Sequence, residues 1–164
     1  VLAAFAQVRK RLPEARLTVA GSGPELRNLE TMAVNLGIAP SVTFAGRIDN
    51  ENIPALYASA DLMINPSTVD NMPISILEAF ASGVPVVSTD VGGVPFIAEN
   101  GRTALLVPAR APERMAEAML ELLLDQDKAR RLAAAASDEV KQYAWPVIRE
   151  KWLSVYRAAV LAGD

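Results

Sequence analysis

This 164-residue chain contains no cysteine and no histidine. The first absence excludes a disulfide framework, a thiolate metal site and a cysteine nucleophile. The second removes the commonest general base and the commonest metal ligand. Long apolar runs are missing as well: all fall well short of the ~18 residues needed to cross a bilayer. The N-terminus is amphipathic and does not read as a signal peptide. No charge of one sign dominates. Sixteen basic and nineteen acidic side chains give a net charge of −3, which does not suggest nucleic acid binding. Any phosphate site must then come from local geometry, not from a global positive field. Internal repeats, low-complexity stretches and linkers are also absent. What is present is apolar. A hydrophobic fraction of 51% argues against disorder. A chain of this length buries roughly 70% of its unfolded surface, enough for one domain with a core.

The elements alternate. Leu2, Phe5, Val8 and Leu12 share one face of a predicted helix over 2–12, with Arg9, Lys10 and Arg11 in its last turn. A strand over 16–20 follows and turns out through Gly21-Ser22-Gly23-Pro24. A helix from Pro24 or Glu25 to Leu36 is closed by Gly37. Strands are expected over 42–44, ending at Gly46, and over 61–64, 84–88 and 104–107. Helices are expected over 53–59, with Asn52 as its cap, over 74–82, briefly over 94–99, and over 112–124, 127–143 and 145–161. Such alternation predicts an α/β fold, a parallel sheet covered on both faces. Ligands bind such sheets at the C-terminal strand edges. Gly21–Gly23, Gly46-Arg47, 65–71 and 90–93 all fall at those edges.

The most informative stretch is 65–89. An apolar strand stops at Asn65-Pro66, and a polar loop runs from Ser67 to Asn71. Pro73 has a fixed φ and no N–H, so it suits the first turn of a helix. Gly83 ends that helix as a left-handed cap. The loop therefore feeds a helix N-terminus, whose unpaired N–H groups and positive dipole end suit a phosphate. Pro73 cannot donate, so Ile74, Ser75 and Ile76 are the expected donors. Glu78 lies one turn into the helix, eight residues after Asp70. The two carboxylates can flank a ligand whose phosphates lie at the helix start.

The spacing Asp70-x7-Glu78, followed by A-F-A-S-G-V-P-V-V-S-T-D-V-G-G-V-P over 79–95, resembles the nucleotide-sugar-binding half of retaining GT-B glycosyltransferases, glycosyltransferase family 4. The likeness extends from about Leu2 to about Tyr156. It implies a Rossmann-like three-layer αβα domain with extra C-terminal helices. It also implies catalytic roles for Asp70 and Glu78: Asp70 on sugar hydroxyls, where the family usually has Glu, and Glu78 on ribose hydroxyls. Donor contacts are implied for Gly21, Gly23, Gly46, Arg47, Asn71, Ile74 and Ser75. The implied substrate is a nucleotide diphosphate sugar, with no metal and no other cofactor. The family places a strand with a basic Gly-Arg or Gly-Lys motif before the first helix, and an N-terminal acceptor domain before that. This sequence begins at the helix. Residues 1–164 are therefore expected to be a single donor-binding domain of a longer enzyme, inactive alone and cytoplasmic, with any peripheral membrane contact made by the absent domain. A central strand left out predicts a gap or an unpaired edge open to self-association.

Other readings stand beside these. Asp70 can cap the helix or shape a turn, and Glu78 can be a solvated helix residue. Arg47 can be a surface arginine. Gly21-Ser22-Gly23 lacks the third glycine of a dinucleotide fingerprint, since Leu26 stands there. Asp90, Gly92 and Gly93 read as a turn forced by packing first, and as a sugar contact second. Trp145, Trp152 and Tyr156 form a stripe suited to a core or a domain interface. Two rival functions remain: a non-catalytic α/β module that binds a nucleotide or a protein, and a sugar-nucleotide epimerase on the same fold.

Overall fold

A computed structural model describes residues 1–161. The expected alternation is present. α1 (Leu2–Arg11) leads to β1 (Leu17–Ala20), α2 (Leu26–Asn35), β2 (Val42–Gly46) and α3 (Ile53–Ala58). Then come β3 (Met63–Asn65), α4 (Ile74–Ala81), β4 (Val86–Thr89), a 3-10 turn over Val94–Phe96 and β5 (Leu105–Val107). α5 (Pro112–Leu124), α6 (Gln126–Glu139), a 3-10 turn over Val140–Tyr143 and α7 (Trp145–Leu161) complete it.

Every strand pairing is parallel, but the one expected sheet is two. β1 pairs with β2, and β3, β4 and β5 pair in that order. Among the described residues β1 pairs with β2 alone, and β3 with β4 alone. The two sheets still share a core. Leu17 of β1 and Val87, Leu105 and Val107 of β4 and β5 join one apolar cluster, with Phe5 and Val8 of α1 and Met115 and Met119 of α5. The next residue along β4, Val86, points the other way, into a cluster with Ile76 and Phe80 of α4, Tyr57 of α3 and Ala136 of α6. Alternation along a strand separates the two clusters, so the sheet is the middle of three layers. β4 is buried along its whole length, as expected of a strand covered on both faces.

Local chemistry accounts for the ends of α4. Pro73, with φ −69° and ψ 104°, is the residue just before the helix rather than its first turn. Gly83 takes φ +69°. Its N–H reaches the Phe80 carbonyl at 3.1 Å and the Val84 N–H reaches Ala79 at 2.9 Å, closing the orphan carbonyls of the last turn. Gly37 closes α2 in the same way.

Several expectations shift. Asn52 precedes α3 but makes no side-chain cap. Strands β3 and β4 begin two residues late: the first backbone link is Met63 N–H to the Pro85 carbonyl, and Pro85 itself has no N–H to give. The helix expected to reach residue 143 tightens into a 3-10 turn after Glu139, and the short helix after Gly93 is a single 3-10 turn. Of the two readings of the α7 aromatic stripe, core or domain interface, core does not hold among the described residues. Trp145, Trp152 and Tyr156 are all more than half exposed, and the last two stack on each other with ring centroids 5.9 Å apart.

Candidate functional site

The expected site residues fall into two groups, one per sheet. On the two-stranded sheet, Gly21 follows β1 and Gly46 ends β2. The Gly21 N–H donates to the Gly46 carbonyl at 2.7 Å, which ties the two loops together. Both glycines take positive φ, +122° and +65°. Gly23 and Arg47 are exposed, and Arg47 forms no ion pair among the described residues. No hydrogen bond among the described residues joins this group to the other.

The second group gathers where β3 and β4 end. Asn65, buried at the end of β3, donates through Nδ2 to Ser88 Oγ at 3.2 Å. Ser67 Oγ lies 2.9 Å from Asn65 Oδ1 and 3.2 Å from Asp70 Oδ2, so one hydroxyl faces both. Thr89 Oγ1 donates to the Ser67 carbonyl at 2.6 Å. The loop is also held from behind. The Gly93 N–H donates to the Asp70 carbonyl at 2.9 Å. A Cβ at Gly92 would sit 2.0 Å from the Asp70 carbonyl oxygen, and one at Gly93 would sit 1.4 Å from that of Asn71. Only glycine admits this approach, so the packing reading of the glycine pair holds.

Asp70 does not cap α4. Among the described residues no side chain caps that helix, and the Asp70 carboxylate faces Ser67. The first turn is therefore open. The N–H groups of Ile74 and Ser75 meet no acceptor among the described residues. The Ile76 N–H is not available with them, which corrects one expectation: it closes on the Pro73 carbonyl at 3.1 Å, a tight first turn. Asn71 and Ile74 are exposed and Ser75 is half-buried at the opening.

Glu78 is half-buried, not a solvated surface residue. Glu78 follows Ile74 by four residues, so the two share a face of α4, and helical side chains lean toward the helix N-terminus. Its one hydrogen-bond partner among the described residues is the hydroxyl of Tyr57, at 3.3 Å; that hydroxyl is also 2.9 Å from the Ser75 carbonyl. Burial pushes the Tyr57 phenol up to about 12, and the negative charge and hydrogen bonding of Glu78 add to the rise. The phenol thus stays neutral and a donor at ordinary pH.

A family model described as Glycosyl transferases group 1 matches residues 1–139. The chain belongs to the group 1 glycosyl transferases. It is 35% identical over 159 residues to the GDP-mannose-dependent alpha-(1-6)-phosphatidylinositol monomannoside mannosyltransferase of Mycobacterium tuberculosis, covering 92% of this chain and 41% of that protein. Among solved structures it resembles sucrose-phosphate synthase from Thermosynechococcus elongatus, with a TM-score of 0.86 and 27% identity, over 98% of this chain and 42% of that one. Anabaena HepE in complex with UDP matches at the same TM-score with 24% identity, over 96% and 44%. The α/β architecture expected of a GT-B domain is the one found. This glycosyl transferase chain spans about two fifths of the length of the curated relatives it matches. Among the described residues no helix is long and apolar enough to cross a membrane.

Tyr57, Asn65, Ser88 and Thr89 were not singled out as site residues from the sequence. Asn65, Ser88 and Thr89 sit inside the stretch 65–89, so that stretch could have flagged them. Tyr57 had no local signal: its contacts lie 18 and 21 residues away.

Proposed function

We infer that this glycosyl transferase chain is the donor-binding part of an enzyme that moves a sugar from a nucleotide diphosphate sugar to an acceptor hydroxyl, with retention and without a metal. The observation that carries this is the open first turn of α4. Two N–H groups without acceptors among the described residues stand there, with Asp70 on the loop that leads into the helix and Glu78 one turn along it. Relatives named as GDP-mannose-dependent and a neighbour solved with UDP support a nucleotide diphosphate.

On this reading each residue has one task. The Ile74 and Ser75 N–H groups take the diphosphate, and the helix dipole adds typically 0.3–1 kcal/mol at an exposed end. The bond from the anomeric carbon to the diphosphate oxygen breaks, charge grows on that oxygen, and preorganised N–H donors stabilise it without reorganising. Glu78 accepts from ribose hydroxyls. Asp70, held by Ser67, accepts from the hydroxyls of the transferred sugar, with Asn71 beside it. Gly21, Gly23, Gly46 and Arg47 meet the nucleoside side. The bond from the anomeric carbon to the acceptor oxygen forms on the same face, the acceptor's hydroxyl proton passes to the leaving diphosphate oxygen, and the acceptor side comes from the rest of a longer protein. The chain alone therefore binds donor and does not turn it over.

Calorimetric titration with UDP and GDP tests the reading. One of them is expected to bind with or without a chelator. Glu78→Ala is expected to cost about 1.5–3 kcal/mol of that binding, the worth of a hydrogen bond to a charged group. Affinity that collapses when the chelator is added, or that is unchanged in Glu78→Ala, overturns the assignment.

A further inference from the structure

Among the described residues Glu78 has no cation to hold it. Lys141, across the groove between α4 and the end of α6, gives its ammonium to Asp138 at 2.6 Å. No ion pair among the described residues includes Glu78. A free carboxylate on a helix face samples several rotamers, and a ligand must then fix one at an entropic cost. What Glu78 has instead is the Tyr57 hydroxyl. Tyr57 sits in the last turn of α3 and is 9% exposed, its ring packed in the cluster of Ile76 and Phe80. The ring is therefore not free to turn away. Its hydroxyl has one hydrogen and faces two oxygens, the Ser75 carbonyl at 2.9 Å and Glu78 Oε2 at 3.3 Å. The Ser75 carbonyl belongs to the same turn that presents the free N–H groups. One rigid phenol thus spans that turn and the carboxylate beside it.

We propose that Tyr57 is a positioning residue for Glu78, fixing its carboxylate in register with the open first turn of α4 so that its remaining acceptor sites face the ribose of a bound nucleoside diphosphate. This rests on the donor reading above, and it adds a residue of α3 to a site otherwise built from α4 and its loop. The contact engages one carboxylate oxygen and leaves the other for the ligand, as a carboxylate that takes two neighbouring hydroxyls requires. A phenol held neutral supplies that donor over the whole ordinary pH range.

The test uses the 164-residue chain, whichever of UDP and GDP binds it better, the 2′,3′-dideoxy form of that nucleotide, and inorganic pyrophosphate. Wild type is expected to prefer the ribonucleotide to the dideoxy form. Glu78→Gln is expected to lower that preference. Tyr57→Phe is expected to lower it roughly three- to tenfold, with pyrophosphate affinity unchanged, and to add nothing in the Glu78→Gln background. Full preference in Tyr57→Phe alongside a lowered one in Glu78→Gln overturns the role of Tyr57 alone. Equal loss for all three ligands shows a merely structural tyrosine and also overturns it. Full preference in Glu78→Gln overturns the ribose assignment of Glu78, and no binding of any ligand overturns the donor reading; either takes this proposal with it. A second measurement needs no change at Tyr57. NMR titration of its ring-labelled phenol in Glu78→Gln should give a value below the wild-type one, and an unmoved value overturns the contact.

Discussion

The two groups of site residues are held in different ways. Where β3 and β4 end, the loop bearing Asp70 is fastened from three directions: Ser67 and Thr89 beneath it, Gly92 and Gly93 behind it, and the tight turn on Pro73 ahead of it. Where β1 and β2 end, a single backbone bond joins Gly21 to Gly46. Nothing stands within 4 Å of a Cβ built at Gly21, Gly23 or Gly46. The break between the two sheets runs between these groups. The difference follows the chemistry proposed for each. Stabilising charge that develops on a leaving oxygen requires donors fixed in advance. Meeting a nucleoside requires shape and tolerates adjustment. The fastened side is therefore expected to be sensitive to small changes, and the open side to absorb them.

The largest effect should come from Gly93→Ala. The new methyl has no room, because the Asn71 carbonyl oxygen lies 1.4 Å from where its Cβ must go. Either the loop or the turn of 90–93 must move, at about 2–4 kcal/mol of stability. Movement of the loop also displaces Asp70, whose carbonyl accepts from the Gly93 N–H. Gly23→Ala is the control on the open side: it meets nothing within 4 Å and its φ is not positive. It should change stability by less than about 0.5 kcal/mol. Urea denaturation of both variants checks the contrast. Equal midpoints would erase the distinction between the two sides.

Much of the fastened side could be read in advance, because its rules are local. Pro73 and Gly83 bracket α4 by backbone chemistry alone, and both did so within one residue. The glycine pair read as packing, and is. What escaped the sequence is what depends on distant partners. Helix-start rules leave the Ile76 N–H free, yet it closes on Pro73, a choice between two helical turn types that residue identity does not decide. Tyr57 belongs to a six-residue helix with no pattern of its own, and its role comes from a contact made through space. Alternation shows that strands exist but not which of them are neighbours, so the grouping of β1 with β2 and of β3 with β4 and β5 had to come from the structure. In α7 the spacing of Trp145, Trp152 and Tyr156 revealed a stripe but not what covers it, and among the described residues the stripe is exposed.

A middle-sized effect tests how firmly Tyr57 is built into the fastened side. Folding raises its phenol from the ordinary value of 10.0 to about 12. The fold therefore favours the protonated form. That contribution is complete below the unfolded value and is lost as pH rises through the folded one. Between pH 10 and about 12 the wild type should lose on the order of 1–2 kcal/mol more stability than Tyr57→Phe, which has no phenol to ionise. Urea midpoints of the two proteins across that window give the answer. Parallel curves would mean that the hydroxyl is open to water, and that the fastened side ends at Asp70.

The smallest effect is expected at Arg47, on the open side. Its side chain is exposed and makes no ion pair among the described residues. Arg47→Ala should leave stability within about 0.5 kcal/mol of wild type. For a flexible cation in water near an anionic ligand, attraction is weakened by solvent and by salt, with a screening length of about 8 Å at physiological ionic strength. Loss of nucleoside diphosphate affinity should therefore be no more than about fivefold, and should shrink further as salt is raised. A fall of a hundredfold that salt does not diminish would place Arg47 in a desolvated contact with the nucleotide. The side joined by one backbone bond would then be as exacting as the side joined by many, and the fastening seen around Asp70 would reflect the packing of β3 and β4 and not the demands of the chemistry.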